Sequence, residues 1–101
     1  ARAAPDQGVT RDKTNMADRA TVPETIGTAV TEAGKPDVLI NMAGIGGAAE
    51  LTEMKFETFD RVIQINLYGT RNIVEAVLPS MLARESGKIV LVGSMGGIIP
   101  V

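Results

Sequence analysis

A chain of 101 residues makes one domain at most and is small for a complete enzyme. Its 45% hydrophobic and 22% charged residues are ordinary globular proportions, and ten basic against twelve acidic side chains leave a net charge of −2, no footprint for nucleic acid. The lack of Cys and His excludes disulfides, thiolate nucleophiles, Ser-His-Asp triads and the usual metal sites, so proton transfer falls to carboxylates, Lys or the single Tyr68.

Along the chain, Ala1 to Gly8 is small, polar and loose, and Val9 to Asn15 reads as a weak strand, an edge at best because Arg11, Asp12 and Lys13 interrupt it. Thr21-Val22-Pro23-Glu24 fits a capping box that opens a helix. Val22, Ile26, Ala29, Val30 and Ala33 fall on one face of it, and Gly34 with Pro36 ends it. Asp37 to Asn41 is a short apolar run, the pattern of a strand buried on both faces. A small-residue turn follows from Met42 to Glu50, and Thr52 is placed to cap a long helix from about Glu53 to Glu85.

That helix carries two apolar stripes. Phe56, Phe59, Ile63, Leu67, Val74, Val77 and Met81 form the first; Val62, Ile65, Gly69, Ile73 and Ala76 form the second. A helix apolar on two sides must be covered twice, and the second stripe is expected to meet a partner subunit. Pro79 should bend or weaken the helix near its end, Ser86-Gly87 should close it, and Lys88 to Gly93 reads as a second buried strand. The apolar stretch Ile89 to Val101 is too short to cross a bilayer and contains Gly93, Gly96, Gly97 and Pro100. A soluble cytoplasmic protein without membrane contact is the expectation. The start at Ala1 and the apolar stop at Ile98 to Val101 suggest a piece of a longer chain.

Strand, long helix, strand is a βαβ unit, which makes the two strands parallel and the crossover right-handed. The turns after Asn41 and after Gly93 therefore open on one edge of the sheet, the edge where open α/β sheets bind ligands. Asn41-Met42-Ala43-Gly44 and Gly93-Ser94-Met95-Gly96-Gly97 lie there. Two readings fit them: a backbone that a ligand approaches closely, with Ser94 presenting a hydroxyl, or ordinary turns with Ser94 capping a helix. Gly44-Ile45-Gly46-Gly47-Ala48-Ala49 matches a dinucleotide fingerprint, but its helix starts too late and the next strand arrives only at Lys88, so the match is accidental. Asn66 is a poor helix residue set between Ile65 and Leu67; either its side chain bonds a neighbouring backbone group or it serves a site.

These residues resemble the short-chain dehydrogenases/reductases. Asn41-Met42-Ala43-Gly44 is similar to that family's Asn-Asn-Ala-Gly motif, Asn66-Leu67-Tyr68-Gly69-Thr70 to the segment bearing its catalytic Asn, and Gly87 to Ser94 to the strand leading to its catalytic Ser. The order and separation of the three make the resemblance specific, and it runs from about Val9 to Val101. It implies an α/β fold with a partial doubly wound (Rossmann-type) parallel sheet, incomplete at both ends, residues 1–101 being the central part of one NAD(P)-binding domain. It also implies hydride transfer between NAD or NADP and a secondary alcohol or ketone.

By the same resemblance, Ser94 bonds the substrate oxygen and Asn66 holds a relay water through its backbone. Asn41, Ala43 and Gly44 flank the adenosine side of the cofactor, and Asn15-Met16 stands where an Asp–apolar pair contacts adenine. Asn15 and Met42 depart from the family pattern. The family's Tyr-x-x-x-Lys pair is not among these residues, since Tyr68 is followed four positions later by Asn72, and its glycine-rich turn would precede Ala1. The 101 residues alone are thus expected to be inactive, and the whole protein to be a homodimer or homotetramer through the helix 53–85. The alternative is a non-catalytic α/β module that binds a nucleotide or partner protein at the same edge.

Overall fold

The structure, a computed structural model, describes Val9 and residues 11–98; the loose segment expected at Ala1 to Gly8 lies outside the described residues. Val9 makes a single β-bridge, and Arg11 to Asn15 form no strand. Three consecutive exposed charges leave that segment no apolar face to bury.

The first helix, α1, spans Thr21–Ala33. Its cap is not Thr21 but Asp18, whose Oδ1 accepts the N–H groups of Ala20 at 2.9 Å and Thr21 at 3.2 Å. The Thr21 hydroxyl donates to the other carboxylate oxygen at 2.6 Å, so the residue expected to cap supports the cap instead. Gly34 ends α1 as expected, at φ 91° with its N–H on the Val30 carbonyl.

Strands β1 (Val38–Asn41) and β2 (Lys88–Leu91) pair in parallel, Val38 opposite Lys88 and Asn41 opposite Leu91. Both are shorter than expected, because Asp37 and Val92 each contribute one flanking bond without joining a strand: Lys88 N–H to the Asp37 carbonyl and Val92 N–H to the Asn41 carbonyl. Among the described residues, one face of the sheet is covered. Leu39 and Ile89 pack against the core, whereas Val38, Ile40 and Val90 are exposed, which corrects the expectation of strands buried on both sides. The alternation of side chains sends these two sets to opposite faces.

The long helix is three consecutive segments: α2 (Phe56–Ile63), a π-helical turn (Gln64–Tyr68) and α3 (Gly69–Arg84). It opens at Phe56 rather than Glu53. Glu50 accepts from Glu53 and Met54 in a separate turn, Lys55 is extended, and no side chain caps the start, so Thr52 is not the cap. The helix runs through Pro79 to Arg84. Its end is closed by Glu85, not by Ser86-Gly87: Glu85 sits in the left-handed region at φ 52°, its N–H on Leu82, and Ser86 N–H reaches the Met81 carbonyl. Gly87, at φ 154°, lets the chain pass Met81, whose Cγ and Sδ would lie 2.6 Å from an added Cβ.

The core is Val22 from α1 with Ile73, Val77 and Met81 from α3, joined by Met16, Ile26, Leu39 and Ile89. Residues of both expected stripes share this buried side. Gly69, Ile73 and Ala76 of the second stripe face Met16 and α1 within the chain, while Phe56, Phe59 and Leu67 of the first are exposed. The second stripe therefore is not an open subunit face. The π turn accounts for the change, since one residue more per turn rotates everything after Tyr68 relative to a uniform 3.6-residue period. Among the described residues no helix is long and apolar enough to cross a membrane.

Candidate active site

The pairing of Asn41 with Leu91 places the exits of the two strands side by side. Two polar side chains and a main-chain carbonyl are tied together where β1 ends. Asn41, 7% exposed, donates from Nδ2 to the Thr70 hydroxyl at 3.1 Å, and that hydroxyl donates to the Asn66 main-chain carbonyl at 2.8 Å. The Asn66 side chain turns the other way. Its Oδ1 accepts the Ile45 N–H and its Nδ2 donates to the Ile45 carbonyl, both at 2.8 Å, an amide paired with a peptide group. Strand end, helix and turn are thereby joined.

Two local features permit this. The Gly69 N–H reaches back five residues to the Gln64 carbonyl, and the widened turn brackets Asn66. A Cβ on Gly44 would lie 3.2 Å from Asn66 Oδ1, so a bare backbone lets the turn approach. The next helix opens only at Phe56, outside the strand–turn–helix setting a dinucleotide fingerprint needs, as expected for Gly44 to Ala49.

Ser94 follows β2 in extended conformation, exposed, with its Oγ accepting the Gly96 N–H at 3.1 Å at the start of a short turn over Met95–Gly97. It is a cap, as one of the two sequence readings held. That bond uses one lone pair of the hydroxyl and not its proton. A groove of about 470 Å³ runs along α3 beside β2, with Asn66, Leu67, Thr70, Val74 and Leu91 in its walls, a size suited to a small molecule.

Of the other predicted positions, Ala43 is exposed in the turn after β1. Asn15 is exposed and folds into a local turn, Oδ1 accepting the Ala17 N–H at 3.0 Å. Met16 is half-buried against the core and Gly69, its carbonyl accepting from Asn72 Nδ2 at 2.9 Å. The structure thus joins Asn41, Gly44 and Asn66 in one network, ties Asn15-Met16 to α3 through Asn72, and leaves Ser94 bonded within its own turn. Thr70 and Asn72 were missed. Their signal was present: a hydroxyl four residues after Asn66 is in reach of its carbonyl, and a second Asn inside a helix is the same oddity as the first.

Charged side chains border the same groove, where Arg71 and Glu75 also stand. Glu75 pairs with Arg71 and, at 3.5 Å, with Arg19, and the Arg71 guanidinium chiefly holds its carboxyl below the usual range. Asp18 is also lowered, first by the Thr21 hydroxyl and then by the N–H groups it caps. Both are exposed and belong to the α1–α3 packing.

The family model described as short chain dehydrogenase matches residues 3–101. A 3-oxoacyl-[acyl-carrier-protein] reductase of Thermotoga maritima is 42% identical over 84 residues, 83% of this chain and 34% of the relative. The oxidoreductase UcpA of Escherichia coli is 36% identical over 83 residues, 82% of this chain and 32% of that one. Among solved structures, a gluconate 5-dehydrogenase from Burkholderia cenocepacia in complex with NADP and tartrate superposes with a TM-score of 0.83 at 30% identity, over 87% of this chain and 34% of that one. ElxO with NADP bound superposes with a TM-score of 0.80 at 32% identity, over 87% and 36%. The chain spans about a third of the length of these relatives. Across that span, the strand-end Asn, the Asn-bearing helix and the strand leading to Ser94 follow one another in a single matched segment, and the chain belongs to the short-chain dehydrogenase family.

Proposed function

We propose that these 101 residues are the central part of a single NAD(P)-binding domain of an oxidoreductase acting on a secondary alcohol or ketone. The observation that carries this is the bonded series Asn41–Thr70–Asn66–Ile45 at the sheet edge shared with Ser94. The residues present suit the adenosine side of a dinucleotide. Ala43 and Gly44 are exposed and small where a ligand would meet backbone, a Cβ at Gly44 would press on Asn66 Oδ1 at 3.2 Å, and Asn15 offers an exposed amide. Bound NAD or NADP would supply or accept the hydride. Two solved neighbours hold NADP, which supports this cofactor class.

In this reading Ser94 bonds the substrate oxygen through the proton that its capping bond does not use. The side chain of Asn66 is occupied by Ile45, so its contribution is the main-chain carbonyl, as holder of a relay water. The 101 residues by themselves support no turnover, as they hold no Tyr-x-x-x-Lys pair. The whole protein is assigned to the cytoplasm and to a homodimer or homotetramer. With Gly69 and Ile73 covered by α1 and Met16, a subunit contact on the long helix falls to its exposed apolar residues, Phe56, Phe59 and Leu67.

The test is steady-state oxidation of NADH and NADPH by the full-length protein with a panel of ketones, wild type beside Ser94→Ala. Cofactor-dependent turnover is expected, with kcat lowered about 10²–10³-fold in the variant, the scale for losing one oxyanion-type donor. Cofactor affinity should hardly change. Near-native kcat together with lost stability would make Ser94 a cap and nothing more.

A further inference from the structure

We propose that Thr70 is a positioning residue for the relay, setting the direction and acceptor strength of the Asn66 main-chain carbonyl. The inference rests on the reading of Asn66 given above and names a residue that reading does not use.

A main-chain carbonyl has two lone pairs. One on Asn66 accepts the Thr70 hydroxyl at 2.8 Å, and in this reading the relay water takes the other. The Thr70 hydroxyl has a single proton, and the Asn66 carbonyl takes it. Its own oxygen accepts from Asn41 Nδ2 at 3.1 Å, and this incoming donor fixes the hydroxyl's rotation and polarises the O–H toward Asn66. Asn41 is buried and stands at the last position of β1, a rigid support. The carbonyl is thereby referenced to the sheet. A helix containing a π turn needs such a reference, because its hydrogen-bond ladder is locally out of step and does not by itself hold each carbonyl on the helix axis.

The groove beside β2 has both Asn66 and Thr70 in its wall, and in this reading it is the side from which the relay water approaches. Thr70 itself is half-buried, its hydroxyl committed on one side to Asn41 and on the other to Asn66. It has no proton to give a substrate, and its role is exerted through Asn66.

A main-chain carbonyl cannot be removed by mutation, whereas the hydroxyl that orients it can. In the full-length enzyme, Thr70→Val keeps shape and loses the hydroxyl, and Thr70→Ser keeps the hydroxyl and loses a methyl. We expect Thr70→Val to lower kcat about tenfold, a fraction of the roughly 10²–10⁴-fold that general acid–base catalysis contributes, and to alter the pH profile of kcat. KM for the ketone and affinity for the cofactor should stay within about twofold, and Thr70→Ser should recover most of kcat and the wild-type profile. Should Thr70→Val fail to fold, Thr70→Cys makes the same test, since a thiol is a weak donor, and its kcat should fall likewise. Unchanged kcat in the variant without the hydroxyl overturns the proposal. So does equal impairment of the Ser variant, or a kcat loss with an unaltered pH profile, since either marks a packing role. Ser94→Ala run in parallel separates the two levels: an impaired Ser94→Ala beside an unimpaired Thr70→Val removes only Thr70, and an unimpaired Ser94→Ala removes the reading on which it rests.

Discussion

Asn66 and Ser94 stand at one edge of the same sheet but use their side chains in opposite ways. The Asn66 amide satisfies both polar groups of the Ile45 peptide and holds the turn after β1 against the helix. The Ser94 hydroxyl accepts one N–H within its own short turn, and its residue is exposed. The first side chain is committed to structure at both its polar ends; the second carries a lighter duty that leaves its proton unused. In the proposed function both positions are catalytic, and these bonds are why the proposal uses the main-chain carbonyl of one and the side-chain hydroxyl of the other.

That contrast can be broken by measurement. The largest expected effect is the kcat loss of Ser94→Ala, and it should come with a stability change no greater than about 1 kcal/mol, the usual worth of a capping bond. Asn66→Leu should behave in reverse. It removes two bonds to the Ile45 backbone and should lower unfolding stability by about 1–3 kcal/mol, read from a denaturant midpoint. A midpoint equal to wild type would mean the clamp holds nothing.

Gly44→Ala probes the same clamp more gently. The added Cβ would press on Asn66 Oδ1 at 3.2 Å, and the exposed amide can give way, so a loss of about 0.5–1 kcal/mol is expected, below the usual overpacking cost in a core. A loss as large as that of Asn66→Leu would show that the turn cannot yield. The smallest effect lies outside both arms, at Asp18. Its carboxyl titrates below the ordinary range in the folded state, so its contribution to stability is present above the unfolded pKa and is lost as pH falls through the folded one. Asp18→Asn keeps a capping acceptor and removes the titration, so the variant should lose less stability than wild type on acidification below about pH 5. Parallel acid curves would dissociate Asp18 from the start of α1.

Both strands, the helix between them, the first helix and its Gly34 end were legible in the sequence, because each rests on local periodicity and punctuation. Asp18 as cap was missed because a capping box three residues on gave a competing local pattern, and only the positions of the N–H groups choose between acceptors. The left-handed Glu85 was missed because glycine was the expected occupant, although the closing bonds to Leu82 and Met81 hold a non-glycine there. The π turn has no periodic signature, and it moved Gly69 and Ile73 from the supposed subunit face to the intramolecular core.

What the sequence by itself determined is the order of elements and the placing of Asn41 and Ser94 at a common edge, since a βαβ crossover admits only parallel strands with their carboxyl ends together. The tertiary structure alone decided what those side chains bond to. Asn66 with Ile45, Asn41 with Thr70, and Asn72 with Met16 join residues 21, 29 and 56 positions apart. An amide or hydroxyl has several equally good partners within reach of its chemistry. The one it takes is settled by where packing brings the backbone, which no local pattern records.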